Sequence, residues 1–413
     1  MARKKKLTLI LVLGMITAIG PFSIDMYLPA FTDIAADLHT SVGHVSLSLS
    51  SFFIGISIGQ FLYGPLLDRY GRKRPLYAGL SLYLVASALC VMAHSANSLI
   101  ALRFLQALGG CAGMVASRAM VRDLFDVEDN AKIFSMLMLV VGVSPIVAPT
   151  LGGYVTAAFG WHFVFVILTV MAIVILIAVY FGLPESRKPD PNYSLKPAAI
   201  ISSFWSVLVE PQFYTYAFTG AIAAAGLYAY ISGSPSVFME IYGVSEKQYG
   251  WIFALVAGGL IVSSQLNSLL LRKFKSQQII PVALFCQSLT GITLFVGSWY
   301  GWIGLAGTIF LILIFLSCQG FTFPNSSALS MAPFSKTAGS ASALMGAIQM
   351  GMGAFTAALV SFLTNGTPLP MTGVMAGCSI LSFSILMIGS RIIRYKATLA
   401  AVEEETVEMI CNS

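Results

Sequence analysis

The stretch Gly64-Pro65-Leu66-Leu67-Asp68-Arg69-Tyr70-Gly71-Arg72-Lys73-Arg74 places five charges within seven residues, between two apolar runs. The runs cover residues 46–67 and 75–94, and each is as long as a helix that crosses a bilayer. Charged side chains are costly in hydrocarbon. The stretch therefore predicts a short charged loop at a membrane surface, with a membrane-spanning helix on each side.

The composition of the whole chain fits a membrane protein. Of its 413 residues, 57% are hydrophobic and 10% are charged, whereas soluble domains carry roughly 25% charged residues. The mean hydropathy is +0.85. Such a chain cannot cover a water-soluble surface, which excludes a soluble enzyme, a nucleic-acid-binding module and a disordered scaffold. The six cysteines are scattered and form no CxxC pair, so we expect neither a disulfide framework nor a metal site.

Apolar windows along the chain predict twelve membrane spans. They cover residues 7–30, 46–67, 75–94, 98–118, 133–157, 162–183, 213–236, 250–271, 279–299, 302–324, 339–364 and 371–393. With the N-terminus inside, 21 of the 23 Lys and Arg residues fall in cytoplasmic segments. The basic charge is thus a topology signal, and we expect no nucleic-acid partner. We expect a multi-pass protein of a bacterial inner membrane with both termini in the cytoplasm.

A polar stretch with several prolines divides the spans into six plus six. The sequence therefore predicts an all-α polytopic membrane protein with twelve transmembrane helices in two six-helix bundles. The predicted units are an N-terminal bundle (1–183), a cytoplasmic linker (184–212), a C-terminal bundle (213–395) and a cytoplasmic tail (396–413). Two six-helix halves are typical of transporters that bind their substrate between the halves, near the middle of the membrane.

Asp25 and Arg103 are the ionisable residues that lie deepest within predicted spans. Counted along the helices, both fall in the outer part of the membrane, where they can share one polar cavity. Burial favours a neutral carboxyl, whereas a nearby guanidinium favours the charged form. This balance suits a proton carrier, so we interpret Asp25 as the proton-coupling residue and Arg103 as the group that tunes it. A fixed ion pair or a polar packing contact is the alternative, and direct contact between the two stays open.

The charged loop resembles the GxLaDrxGrkx signature of the major facilitator superfamily, at the position where that family has it. Gly64 is expected to permit close helix approach and Gly71 a tight turn. Asp68 can face the N-terminus of span 11 near Gly339, where the helix dipole favours a carboxylate. Arg69 or Arg72 can pair with Asp123 or Asp126. In the family such contacts form a latch for the outward-open state, which here would consist of Gly64, Asp68, Arg69, Gly71, Arg72 and Asp123.

Two further motifs agree with this resemblance. Residues 99–106 resemble the family's span-4 motif with its buried Arg, although Ala107 replaces the usual glycine. Residues 144–153 resemble the antiporter motif gxxxGPxxGG through Ser144, Pro145, Ala148, Pro149, Gly152 and Gly153. Ser144 and Ala148 replace glycines, but they are small enough to keep close helix packing.

The strings at residues 23–30 and 118–123 resemble the Bcr/CflA branch of the twelve-span drug:H⁺ antiporters, whose members export bicyclomycin, chloramphenicol-like drugs, sulfonamides or small metabolites. The resemblance covers about residues 7–395. It implies export of a small molecule by alternating access, driven by the proton gradient and without a cofactor. We expect a monomer in the lipid bilayer.

A broad-specificity cavity combines apolar walls with a few polar contacts. The candidates for substrate binding are the polar and aromatic residues within spans, namely Tyr27, Gln106, Ser144, Tyr228, Tyr230, Gln265, Asn325 and Gln349. Each can instead hydrogen-bond to a neighbouring helix.

Multidrug efflux is the leading interpretation. The first alternative is a dedicated exporter of amino acids, dipeptides or nucleosides with the same proton antiport. A passive channel or a membrane enzyme is more remote, because the sequence has no evident metal-ligand cluster, His-rich motif or P-loop.

Overall fold

A computed structural model describes residues 3–125, 127–190, 197–334 and 338–411, and all regular structure in these ranges is helical. The α-helices are α1 (Arg3–Asp25), α2 (Phe31–Asp37), α3 (Val42–Tyr70), α4 (Lys73–Val91), α5 (Ala96–Leu124), α6 (Val127–Phe159), α7 (His162–Gly182), α8 (Pro197–Leu208), α9 (Pro211–Pro235), α10 (Glu246–Leu270), α11 (Ser276–Trp299), α12 (Leu305–Met331), α13 (Ala338–Leu363) and α14 (Leu369–Cys411). A 3-10 turn (Leu28–Ala30) separates α1 from α2, and a π-helical segment (Ser236–Ile241) follows α9.

Each predicted span corresponds to a long helix, which confirms the prediction of an all-α membrane protein. Within the described ranges, eleven helices are long and apolar enough to cross a membrane. The remaining predicted span is α9, which has 25 residues and is rich in Ser, Thr, Tyr and Gly. Nearly all of α9 is buried. Because its neighbours shield it from lipid, α9 does not need the apolar surface of the other spans.

Two segments are more helical than the sequence predicts. The predicted linker (184–212) contains α8, whose Phe204 packs edge-on against Phe61 of α3, with ring centroids 5.1 Å apart. The predicted tail (396–413) continues α14 as far as Cys411. Its first residues are mainly Ala, Leu, Lys and Glu, which favour a helix.

Small residues bring the helices of the first half together. A Cβ atom placed on Gly109 of α5 would lie 2.5 Å from the backbone nitrogen of Tyr83 in α4. Close backbone approach of this kind is typical of helix packing in membranes. Between the halves, α3 packs against α13 and α6 packs against α10.

The ends of the long helices form two opposite surfaces, the basic face and the far face. The basic face carries the turn at Gly71 and Arg72 and the loop before α8. The far face carries the loop between α2 and α3 and the loop between α13 and α14.

Candidate functional site

Arg103 of α5 is fully buried, and aromatic rings and two oxygen acceptors stabilise its charge. The guanidinium carbon lies 4.2 Å from the ring centroid of Phe52 and 4.5 Å from that of Tyr27. One terminal nitrogen donates to the Ser23 carbonyl oxygen at 2.7 Å, and the other donates to Gln106 Oε1. Ring faces stabilise a buried cation. No acidic side chain in the described ranges forms an ion pair with Arg103.

Two of the predicted substrate-binding residues contact Arg103, and their role in substrate binding stays a prediction. The Tyr27 ring covers the guanidinium, and the Tyr27 hydroxyl hydrogen-bonds to Ser48. Gln106 accepts from Arg103 and donates to Ser87 Oγ at 2.7 Å. Tyr27 and Gln106 are both fully buried. A buried guanidinium needs such partners, which explains why these side chains point into the first bundle.

Asp25 is the last residue of α1 and is only 5% exposed. Within the described ranges its carboxyl group has no hydrogen bond or ion pair. The carboxyl group lies within electrostatic range of the phenols of Tyr228 and Tyr230 on α9 and of Tyr249 on α10, all in the second half.

These three tyrosines differ in the contacts of their rings and in the hydrogen-bond partners of their hydroxyls. The Tyr228 ring packs edge-on against Phe53 of α3 at 4.8 Å. Tyr230 stacks on Phe253, and its buried hydroxyl has no partner in the described part of the chain. The Tyr249 hydroxyl hydrogen-bonds to Ser234 at 2.8 Å. The sequence predicts the first two as site residues. It misses Tyr249, because nothing local separates that residue from other tyrosines near span ends.

The antiporter motif packs α6 between the end of α1 and the start of α10. The helix runs without interruption through Pro145 and Pro149. A Cβ atom on Gly152 would overlap with the carbonyl oxygen of Met26, and one on Gly153 would lie 2.5 Å from the Glu246 carbonyl oxygen. The close approach predicted for these glycines is thus present. Gly152 packs α6 against the end of α1 within the first half, and Gly153 joins α6 to α10 of the second half.

The two substituted glycines of this motif lie in the same packed helix. The Ser144 hydroxyl donates to the Val140 carbonyl oxygen at 2.7 Å, one turn earlier in α6. Ala148 is fully buried. Since its hydroxyl is satisfied within the helix, Ser144 contributes packing here, and its predicted contact with a substrate stays a prediction.

The contacts between α3 and α13 close the far face. The Ser46 hydroxyl bonds to that of Ser361, and a Cβ atom on Gly43 would lie 3.1 Å from the Ser361 carbonyl oxygen. Deeper in the membrane, Ser57 Oγ donates to the Ala347 carbonyl oxygen at 2.9 Å. Both pairs of helices that join the halves are therefore in contact from the far face inward.

The charged loop (residues 64–74) has the tight turn and one of the ion pairs that its sequence predicts. Gly71 has a φ of +81°, a conformation that side-chain-bearing residues rarely adopt. Arg72 Nε donates to Asp123 at 2.7 Å, which confirms one of the predicted pairs, while the alternative partner Asp126 lies outside the described residues. Burial alone would lower the pKa of Arg72, but its bonds to Asp123 and Asp68 outweigh burial and raise that pKa.

The Asp68 carboxylate bonds to side chains beside the Gly71 turn, and its predicted contact with the start of α13 stays a prediction. Its Oδ1 accepts from Arg72 at 2.9 Å and from Arg187 at 3.1 Å. A Cβ atom on Gly64 or on Gly339 would meet nothing within 4 Å among the described residues. The close approach predicted at Gly64 is therefore absent in this conformation, although α3 and α13 are in contact one turn away, where a Cβ atom on Gly346 would lie 3.3 Å from the Gln60 side chain. Arg69 is half-buried on the same loop and makes an interaction of its own.

Glu185 supports this loop, and the sequence does not predict it. Its carboxylate accepts from the backbone nitrogens of Arg72 at 2.7 Å and Lys73 at 3.1 Å. A carboxylate is favourable at a helix N-terminus, here that of α4. No local pattern in the sequence marks Glu185, because its partners are backbone nitrogens more than 100 residues earlier in the chain.

The remaining predicted cavity residues lie in the second half. Asn325 is buried and donates to Asn267 Oδ1 at 2.7 Å. Gln349 lines a small gap of about 10 Å³ between α9, α12 and α13. Gln265 is exposed on α10, one turn beyond Ile261, which contacts α6 near Gly142. Gln265 thus lies where α6 and α10 separate toward the basic face.

Comparisons with known proteins agree on a family. The model of the Major Facilitator Superfamily matches residues 13–358. The chain is 31% identical over 386 residues to the bicyclomycin resistance protein homolog of Haemophilus influenzae, covering 92% of this chain and 95% of that protein. It is 31% identical over 370 residues to the multidrug resistance protein MdtL of Escherichia coli, covering 89% and 92%.

Solved structures show the same fold at low sequence identity. A D-xylose-proton symporter aligns with a TM-score of 0.73 at 14% identity, covering 92% of this chain and 97% of the symporter. A bacterial homolog of the human lysosomal transporter Spinster, in an inward-facing and unoccupied conformation, aligns with a TM-score of 0.70 at 16% identity, covering 94% and 96%.

Proposed function

This chain belongs to the major facilitator superfamily, and from this membership we propose that it exports small molecules in exchange for protons by alternating access. Its relatives are named as transporters and resistance proteins, not as enzymes. Names that refer to bicyclomycin and multidrug resistance support multidrug efflux across a bacterial inner membrane. In this proposal the basic face is cytoplasmic, both termini are inside, and a monomer needs no cofactor beyond the proton gradient.

The placement of Asp25 carries the proposal. A carboxyl group that is 5% exposed and has no partner in the described ranges is costly to keep charged. Binding of a proton neutralises the Asp25 carboxylate and so removes the cost of burying its charge. Its position between the halves gives the proton a link to conformation, because movement of α9 and α10 away from α1 would open Asp25 to water.

Arg103 orients this site without carrying the proton. A guanidinium stays protonated at any physiological pH. Through its bond to the Ser23 carbonyl oxygen, Arg103 ties the end of α1 to α5. Asp25, two residues later, therefore moves together with the first bundle.

The observed contacts suggest one order of events. With the far face closed, substrate enters from the basic face. Opening of the far face separates Gly153 of α6 from Glu246 of α10, which belong to different halves. Asp25 then takes up a proton from outside as substrate leaves, and it releases that proton to the cytoplasm on return.

Closure of the basic face would use the charged loop. Asp68 is held by Arg72 and Arg187 in the present conformation. When α3 and α13 come together there, the space beside Gly64 is filled and Asp68 can reach the start of α13. The latch predicted from the sequence belongs to that second conformation.

The test uses everted membrane vesicles with a dye that reports the pH gradient. Vesicles with the wild-type protein should lose part of the gradient when a transported compound is added. The Asp25→Asn variant should be made in normal amounts and give no response. Asp33→Asn, the same change on the half-buried α2 position, is the matched control and should respond like the wild type.

The compound panel separates the two export hypotheses. It contains antibiotics together with amino acids, dipeptides and nucleosides. Responses to several unrelated drugs support multidrug efflux, whereas a response to one metabolite class alone supports a dedicated exporter. Export driven by the pH gradient in well-expressed Asp25→Asn vesicles would rule out the proton-coupling role of Asp25.

A further inference from the structure

A groove on the outside of the second half lies between α9, α11 and α14, at the basic face. Its volume is about 470 Å³. None of the residues that line it belongs to α3, α6, α10 or α13, the helices that join the halves. Tyr216 separates it from the small space beside Gln349.

Polar groups gather at one end of the groove. Gln212 and Gln277 are the second residues of α9 and α11, so the N-termini of two long helices meet there. Arg394 of α14 lies beside them, with its Nε bonded to the Ser390 carbonyl oxygen. No ion pair to Arg394 occurs in the described part of the chain. Helix N-termini and a guanidinium both favour a bound anion.

Tyr216 of α9 adds a hydroxyl group to this polar end. The residue is 7% exposed and belongs to an apolar cluster with Ile280 and Leu284 of α11 and Leu386 of α14. It lines the groove within electrostatic range of Arg394, and its hydroxyl has no hydrogen-bond partner among the described residues. That hydroxyl can therefore donate to an anion in the groove.

The other end of the groove is apolar and opens toward the bilayer. Leu386 and Met387 line it, and Arg394 lies two turns further along α14, about 12 Å away. The exposed side chains of Val282 and Phe285 on α11 continue this apolar surface. A ligand of this site therefore has an anionic group at the membrane surface and a hydrocarbon chain that points into the membrane.

We propose that the groove binds an anionic glycerophospholipid of the phosphatidylglycerol type. Its phosphate would accept from Arg394 and the Tyr216 hydroxyl, and its glycerol hydroxyls would bond to Gln212 and Gln277. No residue that lines the groove is acidic, so an ethanolamine headgroup would lack a partner for its ammonium. Basic pockets between membrane helices bind anionic headgroups in this way.

Native mass spectrometry of the purified full chain tests the proposal. Dioleoyl phosphatidylglycerol and dioleoyl phosphatidylethanolamine are added to the protein in neutral detergent, each in turn. The wild type should retain the anionic lipid more strongly. Arg394→Gln should weaken its retention by about fivefold, the effect of one basic residue near a membrane surface. Tyr216→Phe removes a single hydroxyl and should weaken it by about tenfold, since hydrogen bonds to charged groups are strong.

Arg391→Gln is the matched control, because Arg391 is exposed on the same helix and does not line the groove. It should bind like the wild type. Equal losses in Arg391→Gln and Arg394→Gln, or equal retention of both lipids by the wild type, would overturn the proposal. In the last part of the experiment, glycerol phosphate and inorganic phosphate are added as competitors of the bound lipid. If either displaces the lipid at millimolar concentration, the groove is a site for a free anion and the lipid assignment is wrong.

Discussion

The interface between the two bundles differs sharply between its far and basic ends. At the far end, Gly153 places α6 of the first half directly on the backbone of α10 in the second half. At the basic end, Gly64 and Gly339 face open space. Small residues lie at both ends of the interface, but in this conformation only those at the far end allow close contact between helices.

This difference indicates that the small residues serve two alternative contacts rather than one static fold. A glycine with no neighbour gives no packing energy and costs stability in a helix. Its presence at the open end is explained when that end closes in a second conformation. The charges follow the same division, because Asp68 and Arg72 bond to residues of the loops after α3, α5 and α7 instead of reaching across the open end.

The largest expected effect comes from Gly153→Ala, which should break the closed far face. The added Cβ would lie 2.5 Å from the Glu246 carbonyl oxygen of α10, in the other half. Overpacking costs about 1–3 kcal/mol, so the ratio of closed to open far faces should fall by roughly tenfold. Spin labels on Ser41→Cys and Asn365→Cys, in a background without native cysteines, would report longer distances across that face.

Gly64→Ala is the control for this change, because it adds the same methyl group where nothing lies within 4 Å. It should leave the far-face distance unchanged. Equal effects of the two substitutions, in variants that both elute as folded monodisperse protein, would contradict the comparison between the ends.

An intermediate effect is expected within the charged loop. The side chains of Arg72 and Asp123 are 6% and 19% exposed, and a charged hydrogen bond joins them. A double-mutant cycle with Arg72→Gln and Asp123→Asn should give a coupling energy of about 2 kcal/mol from thermal unfolding. The pair Arg187 and Asp68 offers a comparison, because the Arg187 side chain is 48% exposed. Its coupling should stay below about 1 kcal/mol, and the reverse order would show that burial does not govern this loop.

The smallest effect is expected from Ser57→Ala, which removes one hydrogen bond between the halves. The lost bond to the Ala347 carbonyl oxygen is worth about 1 kcal/mol. The same far-face spin labels should therefore show a modest shift toward the open state. Ser51→Ala is matched to it, because the Ser51 hydroxyl bonds to Ile100 within the first half. A shift of equal size in Ser51→Ala would mean that loss of any buried hydroxyl bond opens the far face.

Features that depend on local sequence were predictable. Apolar runs mark the spans, Gly71 marks the turn, and the charges beside it lead to the Arg72–Asp123 pair. The helix α8 was missed because it is short and lies in a stretch with several prolines.

The roles of single polar residues within spans were less predictable. Such a residue can line a cavity or bond to a neighbouring helix, and the choice depends on residues distant in sequence. Tyr27 and Gln106 hold Arg103, and Asn325 bonds to Asn267. Asp25 could be singled out because a carboxyl group inside a span is rare whatever its neighbours are.

Asp25 is the one buried carboxylate in the part of the chain that the structure describes, and Arg103 keeps a permanent charge. In the mechanism proposed above, a single titratable site would carry one proton in each transport cycle. Exchange of that proton for a neutral compound moves one positive charge inward, which a membrane voltage of about 100 mV favours by about 2.3 kcal/mol. Exchange for a monovalent cation moves no net charge. Membrane voltage would then drive the export of neutral compounds, while monovalent cations would depend on the pH gradient alone.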